Sequence, residues 1–240
     1  QEPVRLRLCR LDDGSRDRTA DIAREHGATV HSLPSRQGLA RVFATALRLS
    51  LERGADIIVH TDADNQYPAR FIPALIQPVL KGQADMVIGA RPITRVKQFS
   101  LVKKILQLVG SWVVRKLSGV DVPDAPSGFR AYSKEAALRL TIVSAFTYVY
   151  ETLLQARQKG LTVTWVPIEV NPVGRPSRLF RNIPVYLLRS ASTILRTISR
   201  RVSSLKVCLL VTPRSMSLSS ASVLNRTAQA RPEAVCASAS

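Results

Sequence analysis

The run Ala55-Asp56-Ile57-Ile58-Val59-His60, leading into Thr61-Asp62-Ala63-Asp64-Asn65-Gln66-Tyr67-Pro68, constrains this chain more than any other stretch. The β-branched run after a helix reads as a buried strand. Carboxylates spaced i, i+2 at the C-terminal end of a parallel strand lie where open α/β sheets bind ligands. Mutual repulsion there destabilises both charges. A hard divalent cation, Mg²⁺ or Mn²⁺, relieves that repulsion through Asp62 and Asp64, and Gln66 offers a neutral oxygen. Pro68 suits the first turn of the next helix. The same residues read equally as helix-capping aspartates that face water, and the stretch alone leaves both readings open.

The flanking chain alternates strands and helices. Val4 to Leu11 reads as a strand ending at Asp12-Asp13-Gly14-Ser15, and a helix over Ala20 to His26 closes at Gly27. Ala28 to Leu33 is a second strand. Gly38 then opens a helix through Arg53, in which Leu39, Val42, Phe43, Ala46, Leu47 and Leu51 keep helical spacing. A helix over Ala69 to Leu80, a strand over Ala84 to Ala90 and a last strand over Leu161 to Val170 follow. The alternation predicts an α/β fold with a doubly wound, mostly parallel sheet. No Gly-x-Gly-x-x-Gly or Walker-type loop follows a strand, which argues against ordinary dinucleotide and P-loop sites.

Charge narrows the partners. Against 17 Asp and Glu stand 35 Lys and Arg, a net charge of +18 over 240 residues, so an anionic partner is expected: nucleic acid, phospholipid or a phosphorylated substrate. Aromatic residues make up only 5% and no helix-turn-helix, zinc-finger or RNA-recognition signature occurs, which makes nucleic acid the weaker choice. Val96 to Val120 and Ile183 to Val202 are basic amphipathic stretches. The second suits a membrane interface, or equally a helix packed on the domain with a solvated basic face. No uncharged run reaches the roughly 18 apolar residues of a spanning helix. Cys9, Cys208 and Cys236 lack metal-ligand spacing, so reduced thiols and a cytoplasmic setting are expected. From Lys206 onward periodicity lapses, and a disordered or weakly structured tail is expected over 206–240.

Asp12-Asp13-Gly14-Ser15, Asp62-Ala63-Asp64-Asn65-Gln66, Ser127-Gly128-Phe129-Arg130 and Glu151-Thr152, in this order, resemble family-2 glycosyltransferases of the A-type fold. The closest likeness is to the polyprenyl-phosphate branch typified by dolichol-phosphate mannose synthase. The resemblance implies a catalytic domain over 1–172, a basic loop and amphipathic interfacial helix over 173–205, and peripheral attachment to the cytoplasmic face of a membrane. It implies that Asp13, with Asp12 beside it, accepts from a base N–H of the nucleotide, with Gly38 nearby. Asp62, Asp64 and Gln66 would hold the metal and the donor diphosphate, and Arg91 would contact phosphate. Ser127, Gly128 and Arg130 would face sugar and acceptor, and Arg175 and Arg178 the acceptor phosphate. Glu151 would be the catalytic carboxylate, with Arg130 and Asp64 beside it in the chemistry. From the residues alone, Asp13 also reads as a turn cap, Arg91 as an exposed strand-end charge and Glu151 as a first-turn Glu favoured by the helix dipole.

The implied reaction is metal-dependent, inverting transfer of a hexosyl group from a UDP- or GDP-sugar to a lipid-linked phosphate. A saccharide hydroxyl as acceptor, an inactive fragment, and a basic nucleic-acid-binding protein are the alternatives. Three features depart from the family pattern. Nothing before Gln1 supplies the family's first strand, Arg5, Arg7 and Arg10 interrupt a strand expected to be apolar, and the tail replaces membrane helices.

Overall fold

The structure, a computed structural model, describes residues 5–94, 100–144, 146–172, 183–210 and 235–239. Its strands are β1 (Leu6–Asp12), β2 (Thr29–Ser32), β3 (Ile57–Thr61), β4 (Met86–Ala90), β5 (Arg130–Ser133), β6 (Val163–Pro167) and β7 (Val235–Ala239). The helices are α1 (Thr19–Glu25), α2 (Leu39–Glu52), α3 (Ile72–Leu80), α4 (Leu101–Ser118), α5 (Lys134–Arg139), α6 (Val149–Gln158) and α7 (Ile183–Leu210). They build on one sheet of order β2-β1-β7-β3-β5-β4-β6, in which β5 alone runs antiparallel to its neighbours.

The period of two along each central strand explains why both faces are covered. Ile58, Met86, Ile88 and Tyr132 point to one side and meet Phe43 and Leu47 of α2, Ala136 of α5 and Leu153 of α6. Ile57, Val59, Val87 and Ala131 point to the other and meet Leu75 and Ile76 of α3. The helical spacing read in 39–51 is therefore the packed face of α2, where Ala40, Val42, Phe43, Ala46 and Leu47 are all buried. Pro68 stays extended (ψ 131°) before a short 3₁₀ turn, Ala69–Phe71, so α3 begins four residues later than Pro68 would have started it.

The tail departs from expectation. Residues 206–210 continue α7, which places the expected boundary at 205 inside a helix, and residues 235–239 form β7. Neither segment has a hydrophobic period of its own. Helix propagation past Val202 and backbone pairing on both sides of β7 are what order them.

Candidate active site

β1 and β3 run parallel to the same strand, so Asp12-Asp13 and Asp62-Asp64 emerge at one rim of the sheet, the rim of the parallel strands' C-terminal ends. The turn after β3 is tight. Asp64 accepts from the Gln66 amide at 3.0 Å, and Asn65 takes a left-handed φ of 58°, a conformation asparagine tolerates better than most residues. Asn171, beyond β6, ties the turn down: its side-chain amide donates to the Asn65 carbonyl and its backbone N–H to the Gln66 carbonyl.

Burial pushes the Asp62 carboxyl up to about 6, the negative charge of Asp64 adds to the shift, and Arg91 opposes it. The two carboxylates are thus near enough to feel one another. Gly128 closes over Asp62 from the loop before β5. A Cβ there would lie 3.2 Å from Asp62 Oδ2 and 3.2 Å from the Tyr148 hydroxyl, so only glycine lets this backbone approach.

A layer missed in the sequence lies beneath. His60 Nδ1 is 3.1 Å from the Gly128 carbonyl and 2.9 Å from the Tyr148 hydroxyl, and Tyr148 stacks on Phe43 at 3.8 Å. Desolvation drives the His60 pKa down to about 4, so the imidazole is neutral near pH 7. Asp124, fully buried, takes Arg91 in a two-pronged pair, Nε to Oδ2 at 2.6 Å and Nη2 to Oδ1 at 2.9 Å. His60 follows the apolar run Ile57-Ile58-Val59 within β3, and Asp124 stands among prolines three residues before Ser127. Those were the available signals.

Asp13 receives the Gln37 amide at 2.6 Å and the Gly38 amide at 3.1 Å, joining the strand-end turn to the start of α2. Gly38 has φ 85°, which lets both N–H groups converge on the carboxylate. Asp12 caps its own turn through the Ser15 amide, so the turn-cap role belongs to Asp12 rather than to Asp13.

Four expectations need correction. Arg130, expected at the acceptor, is wholly buried. Its Nε donates to the Ser127 carbonyl (2.8 Å), Nη2 to Ala125 (2.6 Å), and Nη1 to Val149 (3.0 Å) and the Thr152 hydroxyl (2.7 Å). It fastens the loop to α6 and cannot touch a substrate. Ser127, also wholly buried, donates its hydroxyl to the Gly89 carbonyl at 2.6 Å. Arg91 is neither an exposed charge nor a free phosphate ligand, because Asp124 holds it. Glu151 is buried, and its carboxylate accepts from the amides of Val143 (3.1 and 3.2 Å) and Ser144 (3.0 Å). A carboxylate bound by two backbone amides anchors the 143–144 loop. Arg175 and Arg178 lie outside the described residues.

A cavity of about 530 Å³ opens beside Glu151, between Val143, Ser144 and Phe146 on one side and Leu188, Arg189, Thr193, Arg196 and Thr197 of α7 on the other. No group of three or more His, Cys, Asp or Glu placed to hold a metal ion occurs among the described residues. Asp62 and Asp64 nonetheless fit a Mg²⁺-type ion, which commonly takes one or two carboxylates and completes its shell with substrate phosphates and water.

The family "Glycosyl transferase family 2" matches residues 1–141. Undecaprenyl-phosphate mannosyltransferase of Micrococcus luteus is 30% identical over 169 residues, 66% of this chain and 69% of that protein. UDP-N-acetylglucosamine–dolichyl-phosphate N-acetylglucosaminyltransferase of Methanococcus voltae is 32% identical over 183 residues, 66% of this chain and 72% of that protein. Among solved structures, glucosyl-3-phosphoglycerate synthase of Mycobacterium tuberculosis with Mn²⁺, UDP-glucose and phosphoglyceric acid superposes with a TM-score of 0.64. That match has 22% identity over 79% of this chain and 68% of the other, and it speaks to the fold alone. Family match, relatives and fold agree: the chain belongs to glycosyl transferase family 2 and is a glycosyltransferase.

Proposed function

We propose that the chain transfers a hexosyl group from a nucleotide sugar to a polyprenyl-phosphate-type lipid, with inversion and with Mg²⁺ or Mn²⁺ at Asp62 and Asp64. The observation that carries this reading is the placement of Asp62 and Asp64 on one tight turn at the sheet rim, with the Gly128 backbone pressed against Asp62. The names of the relatives from Micrococcus luteus and Methanococcus voltae, both acting on lipid phosphates, support the acceptor class.

In this reading an acceptor phosphate oxygen attacks the anomeric carbon, and the bond to the nucleoside diphosphate breaks with its electron pair on the departing phosphate. Bound metal would supply Lewis-acid stabilisation of that developing charge. Asp62 and Asp64 would hold it, Asp13 fixes the start of α2 at the nucleotide end through the Gln37 and Gly38 amides, and Gly128 keeps the loop before β5 against Asp62. A phosphate acceptor is already anionic at neutral pH, so positioning and charge stabilisation dominate over proton transfer.

Membrane attachment draws support from α4. Its outward face carries Leu101 (77% exposed), Val102, Ile105 (58%), Val109 and Trp112 (54%), while Gln107, Ser111, Val114 and Ser118 face inward. An apolar face turned to solvent beside Lys103, Lys104, Arg115 and Lys116 suits an anionic lipid surface. Its N-terminal end lies near the site: Lys104 donates to the Thr94 carbonyl, and burial, followed by the Arg91 charge, lowers the Lys103 pKa. No helix among the described residues is long and apolar enough to cross a membrane. The cavity beside α7, with Arg189 and Arg196 next to Leu188 and Phe146, has the mixed character an amphiphilic anion requires.

The test is a thermal-shift series with UDP-glucose, UDP-N-acetylglucosamine and GDP-mannose, with Mn²⁺ and with chelator. A shift with one donor that chelator abolishes, and that Asp64→Asn loses, is expected. Full metal-dependent sugar transfer by Asp64→Asn would remove the acidic pair from the mechanism.

A further inference from the structure

β3 and the turn after it hold the Gly128 backbone at two points, two residues apart. Asp62, just past the strand, meets the α-carbon side, where a Cβ would lie 3.2 Å from Oδ2. His60, inside the strand, meets the carbonyl side, with Nδ1 3.1 Å from the Gly128 oxygen. The first contact belongs to the proposed metal end of the site. The second has no part in the mechanism above, although it fixes the same residue.

The Tyr148 hydroxyl completes a triangle, 2.9 Å from His60 Nδ1 and 3.5 Å from the Gly128 carbonyl oxygen. Of the three groups, only the carbonyl can do nothing but accept. One arrangement satisfies all of them. Nδ1 carries the hydrogen and donates it between the carbonyl and phenol oxygens, and the hydroxyl turns its own hydrogen to the carbonyl. The other tautomer sets an Nδ1 lone pair 3.1 Å from the carbonyl oxygen. It also puts the ring hydrogen on Nε2, a buried atom with no hydrogen-bond partner.

The rings are held in place. Phe43 of α2 stacks on Tyr148 with an interplanar angle of 10° and meets His60 edge-on at 5.2 Å, and His60 meets Tyr148 edge-on at 5.1 Å. Both polar side chains are buried. Apolar side chains would fill this space without the cost of desolvating an imidazole and a phenol, so space filling alone does not account for them.

We propose that His60 and Tyr148 are positioning residues for the metal end of the donor site: the Nδ1–H and the phenol together hold the Gly128 carbonyl and so set how closely its backbone confines Asp62. The triangle stands on the distances. Its effect on metal binding rests on the proposed function.

Nitrogen NMR of the ¹⁵N-labelled chain tests the triangle, with His60 assigned by the signals lost in His60→Asn. A hydrogen on Nδ1 is expected, and a hydrogen on Nε2 alone would overturn the arrangement. Mn²⁺ binding, read from the loss of the free-ion electron paramagnetic resonance signal with UDP or GDP present, tests the positioning. His60→Leu fills similar space without an N–H and should weaken Mn²⁺ binding about tenfold or more, as loss of a partner behind a metal ligand does. The asparagine amide nitrogen stands as many bonds from Cα as Nδ1 does, so His60→Asn should bind nearly as the native chain does despite its smaller volume. Tyr148→Phe keeps the stack, loses only the hydroxyl, and should fall between the two. A space-filling role predicts the reverse order, His60→Leu native-like and His60→Asn impaired; that order, or one affinity for all, would sink the positioning role. If the native chain binds no Mn²⁺ with either nucleotide, the functional reading fails and the positioning role with it, while the ring spectrum still decides the triangle.

Discussion

At the scale of single residues, Gly128 is the glycine that bears directly on the site. A methyl group there must displace either Asp62 or the Tyr148 hydroxyl, each 3.2 Å away. Gly128→Ala is expected to weaken Mn²⁺-dependent donor binding at least tenfold and to cost about 1–3 kcal/mol of stability by overpacking, measured by titration calorimetry and denaturant unfolding. Arg130 gives the opposite signature. Arg130→Ala strips partners from three buried carbonyls and should lower stability by about 3–5 kcal/mol, while kcat/KM per folded molecule stays near native. A loss of kcat at unchanged stability would return Arg130 to the chemistry. Asp62 couples the site to pH. Because its carboxyl sits near 6 in the folded chain against an ordinary 3.8, the folded state holds the proton more tightly than the unfolded chain does. Stability of the metal-free protein therefore falls as pH rises from about 4 to about 6, the opposite of a salt-bridged carboxylate. Asp62→Asn should raise the metal-free Tm above pH 6, with the gain vanishing below about pH 4, and native Mn²⁺ affinity should decline below pH 6.

At the scale of elements, α4 separates lipid contact from folding. Ile105→Asp with Trp112→Asp places charge on an exposed face, so Tm should stay near native while co-sedimentation with anionic vesicles drops at least tenfold. Unchanged vesicle binding would direct attention to α7. What could be read from the sequence divides along physical lines. β3 and α2 were legible because their periods are local: a β-branched run at strand length and apolar residues at helical spacing. Asp62 and Asp64 were legible because adjacent carboxylates must be reconciled by something. Arg130, Ser127 and Glu151 were misjudged because position along the chain does not reveal where a side chain points. Each lies close to the site in sequence yet turns inward to satisfy backbone groups of the loops that surround it. Asp124 was overlooked because its partner, Arg91, is 33 residues away. β7 had no local signal at all.

At the scale of the whole molecule, the net charge of +18 acts on any anionic surface. Vesicle binding should weaken steeply between 50 mM and 500 mM salt through screening, leaving a residual apolar component from α4 that Trp112→Asp removes. Comparable retention on arbitrary DNA at 500 mM salt would count against lipid as the target. The position of β5 carries a separate consequence for how the chain is made. Its partners β3 and β4 precede it, Ile57 pairing with Ser133 and Met86 with Tyr132, so this part of the sheet closes only after the loop carrying Gly128 has emerged. Until then the facing edges of β3 and β4 lack β5 in a nascent chain, the species on which chaperones act and from which aggregation begins. Pairings of such long sequence separation also form slowly. Ribosome-stalled chains ending before residue 130 should therefore be cut readily by protease within β3 and β4, and chains released in full should not.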